Sequence, residues 1–186
     1  SMVKTIILQS GEKKLNPAEL FAFINEILYN QIGGNFVTAF YGIYDKKTRK
    51  FIFTNAGHNP PYIISPDGEI TFLNGHKTVP LAIMNNEVLK QKGKMFKNSE
   101  VTLKPNSKLF LYTDGFVECQ PYNNSRLSFE DIVMDVINKI KHEKPDLFIE
   151  NIYKNLTEFR GSDSFEDDVC LICMDVWWNL YLKVDR

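Results

Sequence analysis

The sequence predicts an α+β domain in which helices cover an antiparallel β-sheet. Two pairs of short β-rich segments are each joined by turn-forming residues, as is typical of β-hairpins. Three other segments carry apolar residues at helical spacing, one before these hairpins and two after them. Helices and strands grouped in this way along the chain indicate an α+β fold. At 186 residues the chain is predicted to form a single domain, residues 1–186.

Composition and charge narrow the classes of function. Apolar residues make up 44% of the chain and aromatic residues 13%, as expected for a folded globule. A formal net charge of −1 gives no indication of binding to nucleic acid or to an anionic membrane surface. No apolar run is long enough to cross a membrane and no signal peptide is visible. We therefore expect a cytoplasmic location and no membrane contact by this domain.

The first well-defined element is a helix that begins after Asn16. Asn16 is the predicted N-cap, Pro17 occupies the first helical position and Glu19 occupies the capping-box position. The segment Met2–Leu8 is predicted to be the end of an earlier helix, although its run of Thr, Ile and Ile would also suit a strand. The apolar face of the first complete helix consists of Leu20, Phe23, Ile24, Ile27 and Leu28.

Two hairpins follow. The first joins residues 36–44 to residues 50–55 across a polar five-residue turn, and the second joins residues 62–65 to residues 69–73 across Pro66-Asp-Gly68. Four consecutive antiparallel strands are therefore predicted.

The middle of the chain is less regular. Residues 85–98 are polar and contain four lysines, which favours a solvated loop or an edge strand protected by its lysines over a phosphate-binding segment. Residues 100–103 are predicted to pair with the strand that opens at Leu109, across Lys104–Ser107.

The last third of the chain is predicted to form two amphipathic helices and a closing strand. The helices span residues 127–140 and 145–159, and the strand spans residues 169–177. Trp177 is expected at the edge of the core and Trp178 on the surface.

Cys170 and Cys173 have the C-x-x-C spacing of redox and zinc sites. Positions three apart on a strand point to opposite faces, however, so the two thiols should diverge and serve as core residues. Three cysteines in total do not form a disulfide framework and indicate a reducing compartment.

The chemistry of the chain is concentrated at two acidic strand ends. The buried run that opens at Leu109 ends in Thr113-Asp114-Gly115, and Glu166-Asp167-Asp168 stands directly before the strand that begins at Val169. If these strands are antiparallel neighbours, Asp114 meets Asp167 or Asp168 at one edge of the sheet. Clustered carboxylates favour a bound cation, and oxygen ligands suit Mg²⁺ or Mn²⁺.

His58 lies in a loop between the hairpins, within a segment rich in turn-forming residues. It is a candidate acid, base or metal ligand. The alternative is a histidine that stabilises the turn by hydrogen bonds, which is favoured because no second histidine stands at ligand spacing. Asn55 and Asn59 are likewise predicted to stabilise the turn.

Taken together, these motifs resemble the metal-dependent (PPM-type) serine/threonine phosphatases, in particular the bacterial SpoIIE/RsbU-like subgroup. The resemblance extends from about the first residues to Met174. It implies an antiparallel β-sandwich flanked by helices. It rests on the order and spacing of Phe36-Val-Thr-Ala-Phe-Tyr-Gly42, Asn55-Ala-Gly-His-Asn-Pro-Pro61, Val79-Pro-Leu81, Leu111-Tyr-Thr-Asp-Gly115 and the strand that follows Asp167-Asp168.

The resemblance also implies a mechanism and a set of site residues. In the family, two Mn²⁺ or Mg²⁺ ions hold a water that attacks a phosphoserine or phosphothreonine. By resemblance Asp114 and Asp167 are metal ligands, with Asp168 as the alternative to Asp167. Gly115 would allow close approach at the metal, and His58 and Asn59 would support the site.

One departure from the family pattern matters most. The family begins with strands that carry an Asp-Gly metal-bridging motif and a Gly-His-Gly turn, and neither is present in this sequence. We therefore expect a fold truncated at its N-terminus, with uncovered sheet edge that favours a homodimer and with little or no phosphatase activity. A non-catalytic, phosphatase-like binding or regulatory module is the alternative.

The resemblance further implies a partner. Substrates in this subgroup are often anti-sigma-factor antagonists phosphorylated on serine, and the phosphatase is often fused to a sensor or receiver domain. We therefore expect a role in bacterial signal transduction and sigma factor regulation.

Overall fold

A computed structural model describes residues 2–76, 78–122, 127–162, 164–176 and 180–185 of the chain. The chain divides into two compact units, each formed by two segments. The first unit contains Ser1–His58 and Asn74–Leu103, and the second contains Asn59–Leu73 and Lys104–Arg186.

The described elements alternate between helical and strand groups along the chain. In chain order they are α1 (Met2–Gln9), a 3-10 helix (Gly11–Leu15), α2 (Pro17–Tyr29), β1 (Ala39–Asp45), β2 (Lys50–Ala56), β3 (Tyr62–Ile64), β4 (Ile70–Phe72), α3 (Asn86–Gln91), β5 (Ser99–Thr102), β6 (Lys108–Tyr112), α4 (Asp114–Val117), α5 (Glu130–Ile140), α6 (Pro145–Arg160), β7 (Val169–Asp175) and β8 (Leu180–Asp185).

The first unit packs α2 and a three-stranded antiparallel sheet, in the order β1-β2-β5, around one apolar cluster. Helix α2 begins as predicted, because the Asn16 side chain accepts from the Glu19 N–H and donates to the Glu19 carboxylate. Its apolar residues Leu20, Ile24 and Leu28 are buried, which is the reason this amphipathic segment is stable as a helix.

The second unit contains the five-stranded antiparallel sheet β4-β3-β6-β7-β8. Helices α5 and α6 bury their apolar faces in the same cluster as the sheet residues Phe110, Tyr112 and Leu171. Strand β6 lies between β3 and β7, and its residues Leu109, Phe110 and Tyr112 are buried. In the described part of the chain, no helix is both long and apolar enough to span a membrane.

The predicted α+β class with antiparallel sheets is confirmed, as are both hairpins and the three long helices. Residues 2–9 form a helix and not a strand. The two hairpins lie in separate sheets.

The predicted pairing of residues 100–103 with the strand at Leu109 is wrong. Strand β5 pairs with β2, and β6 pairs with β3 and β7. The turn-forming residues at 104–107 mark a change of chain direction, but a local turn signal cannot say which strand becomes the neighbour.

Two other differences concern elements with weak sequence signals. Residues 86–91 form helix α3, capped by the Asn85 side chain, inside the segment predicted as loop or edge strand. Only Leu89 of this helix is buried, so its apolar periodicity is too short to detect. Strand β8 is an additional strand that was not predicted. Trp177 and Trp178 lie outside the described residues.

Candidate functional site: an acidic sheet edge

The acidic edge depends on the pairing of β6 with β7, and that pairing is antiparallel. Lys108 faces Asp175 at one end of the ladder and Tyr112 faces Leu171 at the other. The end of β6 therefore lies beside the beginning of β7. Asp114 follows the first strand and Asp167-Asp168 precede the second, so both acidic segments lie at the same end of this strand pair. We call this place, formed by strand ends and not by an outer strand, the acidic edge.

Thr113 extends the pairing beyond the strands. Its backbone N–H donates to the Cys170 carbonyl at 3.1 Å, its hydroxyl donates to the Asp168 carbonyl at 2.8 Å, and its Oγ1 accepts from the Cys170 N–H at 2.9 Å. Thr113, which precedes Asp114, is thus bonded to Asp168 and Cys170, which follow Asp167. This role of Thr113 is not predicted from the sequence. The available signal was a hydroxyl side chain placed between a buried strand and an acid.

Gly115 lies where the two segments approach most closely. A Cβ at this position would lie 2.7 Å from the Asp168 carbonyl oxygen and 3.1 Å from that of Asp167. What approaches Gly115 in the structure is therefore peptide backbone. A side chain here would force the start of α4 away from the acidic segment.

The three predicted acids are exposed, as the charged ends of buried strands should be. Asp167 accepts at Oδ1 from the Asp168 N–H at 2.7 Å, and Asp114 Oδ1 accepts from the Gly115 N–H at 3.2 Å. Asp167 also lines a cleft of about 380 Å³ in this unit. The other residues that line the cleft are Gly115, Glu118, Cys119, Gln120, Ser128, Arg160, Phe165 and Glu166.

The wall of the cleft contains one buried cation and one thiol. Arg160 forms an ion pair with Glu166 at 3.3 Å, and the Arg160 side chain is only 10% exposed. Burial raises the pKa of the Cys119 thiol; Arg160 opposes this shift and Glu166 reinforces it. Cys119 is therefore a protonated, weakly nucleophilic group at neutral pH.

A divalent metal centre needs more ligands than this edge supplies. Within residues 2–76, 78–122, 127–162, 164–176 and 180–185, no group of three or more His, Cys, Asp and Glu side chains could hold an ion together. Mg²⁺ requires a near-octahedral set of oxygen ligands. The described residues thus do not make up a metal centre by themselves, although Asp114 and Asp167 are residue types that would contribute to one.

His58 belongs to the first unit, in a turn held by Asn55. The Asn55 side chain donates to the His58 carbonyl and accepts from the His58 N–H, each at 2.8 Å. The Thr78 hydroxyl donates to the Asn55 carbonyl. Asn55 is therefore a turn stabiliser, as predicted, and these bonds place the backbone of His58. Asn59 is half-buried and begins the second unit.

Cys170 and Cys173 occupy β7. Cys173 is buried in the core cluster and Cys170 is half-buried. Both thiols are free, and burial raises the pKa of both, that of Cys173 to about 12. A redox or zinc site requires thiolates that form at neutral pH, so the two residues act as core side chains.

Comparison with solved structures shows that the chain has the antiparallel α+β fold of PP2C-type (PPM) protein phosphatase domains. The SiaA PP2C domain of Pseudomonas aeruginosa superposes with a TM-score of 0.71 at 18% identity, over 93% of this chain and 65% of that one. The RsbU and RsbW domains of a Mycobacterium tuberculosis protein match with a TM-score of 0.70 at 21% identity, over 94% of this chain and 46% of that one.

A third structure is the phosphatase domain of SpoIIE from Bacillus subtilis, presoaked with Mn. It matches with a TM-score of 0.60 at 15% identity, over 96% of this chain and 73% of that one. The chain therefore spans about two thirds of the SiaA domain and less than half of the mycobacterial chain.

The chain belongs to the SpoIIE family, described as "Stage II sporulation protein E (SpoIIE)", whose model matches residues 1–177. No curated protein matches the sequence significantly.

Proposed function

We propose that this chain is the phosphatase domain of a bacterial signalling protein and acts on a phosphoserine regulatory protein of the anti-sigma-factor antagonist type. The observation that carries the proposal is the antiparallel pairing of β6 with β7, which brings Asp114 and Asp167-Asp168 to one edge of the sheet. Membership of the SpoIIE family supports the same reaction class. The full-length protein would carry a sensor or receiver domain and act in the cytoplasm.

In this proposal the site is a Mn²⁺ or Mg²⁺ centre, whose ions would activate a water and offset charge on the phosphoryl group. Asp114 and Asp167 are the proposed metal ligands. Asp167 is preferred to Asp168 because it lines the cleft beside Gly115. Gly115 supports the site by allowing the backbone at Asp167 and Asp168 to approach closely.

We further propose that the 186 residues as they stand have little or no phosphatase activity. The family's first Asp-Gly motif, which bridges the metals, does not occur before the helix at residues 17–29, and no Gly-His-Gly occurs in the sequence. The described residues also provide no group of three metal-binding side chains. Without a further carboxylate, the remaining acids would bind a divalent ion weakly.

The experiment is Mn²⁺-dependent hydrolysis of a chromogenic aryl phosphate and of a phosphoserine peptide. Two proteins are compared: these 186 residues, and the same chain extended by the residues natively encoded before Met2. We expect turnover only in the extended chain, and we expect Asp114→Asn to lower its rate by at least about a hundredfold. Robust turnover by the 186 residues alone would overturn the proposed inactivity.

A non-catalytic, phosphatase-like binding or regulatory module is the second candidate. The lack of a three-residue metal cluster among the described side chains favours it. The two candidates are distinguished by the encoded residues upstream of Met2: an Asp-Gly followed by Gly-His-Gly supports the enzyme. An extended chain that binds the phosphoprotein but never hydrolyses it would favour the binding module.

A further inference from the structure

The last residue of α6 makes an unusual set of contacts near the acidic edge. Arg160 is a long cationic side chain, yet it is almost fully buried. Its Nη1 donates to the Gln120 carbonyl at 2.9 Å and its Nε donates to the Ser164 carbonyl at 3.3 Å. Its Nη2 donates to the Glu166 carboxylate at 3.3 Å. One guanidinium therefore bonds two separate loops.

The same residue also holds the first of these loops through its backbone and its charge. The Arg160 carbonyl accepts from the Tyr122 N–H at 2.9 Å, and the guanidinium lies over the Tyr122 ring, 5.6 Å from its centroid. This loop, residues 119–122, follows the short helix that begins at Asp114. Residues 118–120 also line the cleft beside Asp167.

The second loop leads directly into the other acidic segment. Ser164 and Glu166 accept the remaining bonds of Arg160, and Asp167 and Asp168 come next in the chain. Both predicted ligand segments are thus continuous with backbone that Arg160 holds. A guanidinium is suited to this task, because its planar fork offers several donors at fixed angles and stays charged when buried.

The helix that carries Arg160 is well packed. Arg160 ends a sixteen-residue helix whose Phe148, Ile152 and Leu156 are fully buried. Gly161, in the left-handed conformation (φ 73°), ends the helix directly after it. The cation is therefore fixed by a well-packed helix, while the segments it bonds are loops with few buried residues of their own.

We propose that Arg160 is a positioning residue of the acidic edge. It fixes residues 119–122 and 164–166 relative to each other, and together with the bonds of Thr113 it sets the separation of Asp114 from Asp167. Any effect of Arg160 on catalysis rests on the proposed function, but its effect on the two loops can be measured without activity. Glu166 serves in it as the counter-ion of Arg160 and not as a ligand.

The test is residue-resolved amide hydrogen exchange of the 186-residue chain, comparing the original protein with Arg160→Met. Methionine keeps an unbranched apolar stem in the same space and removes all guanidinium donors. We expect exchange at Tyr122 and Asp168 to accelerate by about tenfold or more, because several charge-assisted hydrogen bonds are lost. We expect exchange at Val136 and Ile137 in α5 to stay within about twofold.

Two further variants make the result specific. Lys154→Met is the matched control, because Lys154 is a cation on the same helix that pairs with Glu158 at 3.8 Å with both side chains exposed; it should leave both loops unchanged. Arg160→Lys keeps the positive charge but not the planar guanidinium group, so it should accelerate amide exchange in the loops by an intermediate amount.

The inference is overturned by either of two outcomes. Unchanged exchange in both loops would show that Arg160 does not hold them. Equal acceleration throughout the second unit would show a global loss of stability in place of local positioning.

In an extended chain that has Mn²⁺-dependent turnover, Arg160→Met should lower kcat with KM nearly unchanged. If no extended chain turns over, the proposed function fails while the exchange result still decides the role of Arg160.

Discussion

At the scale of single residues, Gly115 is the position where backbone geometry and proposed chemistry meet. It allows helix α4 to begin against the carbonyl groups of Asp167 and Asp168. Glycine is required here for close approach rather than for an unusual φ angle, because only a hydrogen fits between the two segments. The acidic edge therefore requires glycine at position 115 as well as the acidic side chains.

Gly115→Ala should destabilise the chain by about 1–3 kcal/mol, because the new Cβ meets backbone that cannot move aside freely. Chemical denaturation, monitored by circular dichroism, measures this. Glu118→Ala, an exposed change one helical turn later, is the control and should stay within about 0.5 kcal/mol. A Gly115→Ala protein as stable as the original would show that the two segments are farther apart than described.

Cys173 makes a pH-dependent contribution to stability. Burial raises the pKa of its thiol from 9.0 to about 12 in the folded protein. Between these values the folded state keeps a proton that the unfolded state loses. The contribution of this thiol to the free energy of unfolding is therefore fully present below pH 9 and is lost as the pH rises towards 12. Cys173→Val removes this thiol, and the loss of stability between pH 9 and 12 should become shallower by up to about 1.4 kcal/mol per pH unit. Denaturation curves across this range measure it, and an unchanged slope would contradict the buried, protonated thiol.

At the scale of elements, helix α2 is joined to the loop before α3 by one buried amide. The Asn25 side chain is fully buried, accepts from the Ala82 N–H at 2.7 Å and donates to the Met84 carbonyl at 3.0 Å and the Asn86 side chain at 2.8 Å. Ala82 has a φ of 66°, a conformation that non-glycine residues rarely adopt. The bond that the Ala82 N–H donates to Asn25 helps to hold this strained residue in place.

Asn25→Leu should cost about 2–4 kcal/mol, because it leaves buried backbone groups of the loop without partners. The unfolding free energy measures this. Asn30→Leu is the control at the C-cap of the same helix, since the Asn30 side chain is exposed and donates to the Glu26 carbonyl one turn earlier. Its expected cost is less than about 1 kcal/mol. Equal costs for the two variants would contradict the role given to Asn25.

The elements also show which parts of the fold the sequence could specify. Helix α2 is predictable because capping residues and an apolar face are local signals, and both act as expected at Asn16 and Leu20. The partner of β5 is not predictable, because it depends on residues far away in the chain. The juxtaposition of Asp114 with Asp167 was predictable from two strand ends. The roles of Thr113 and Arg160 were not, since each depends on partner groups that only the fold brings to it.

At the scale of the whole molecule, the exposed sheet edges favour self-association. Strand β1 is the outer strand of its described sheet, seven residues long, and Ala39–Tyr44 are only half-buried. Strand β4, at one edge of the other sheet, has three residues, and β8, at its opposite edge, has six. A long edge with apolar side chains offers unpaired backbone groups to a second chain, whereas a short edge offers few.

We therefore expect a homodimer or larger assembly, formed through β1. Light scattering coupled to size exclusion measures the mass. Ile43→Lys places a charge on this edge and should shift the protein towards monomer, whereas Thr71→Lys on β4 should not. A clean monomer at high concentration would contradict the proposed dimer.

The proposed metal site depends most on the meeting of two acidic segments at one edge. Mn²⁺ broadens the NMR signals of nearby amides, so titration of the 186-residue chain shows directly which residues share a bound ion, even when binding is weak. We expect the amide signals of Asp114, Gly115, Asp167 and Asp168 to broaden together at the same Mn²⁺ concentration, and we expect Asp114→Asn to reduce the effect at Asp167. Broadening of only one segment, or broadening centred elsewhere in the chain, would contradict the proposed metal site at the acidic edge.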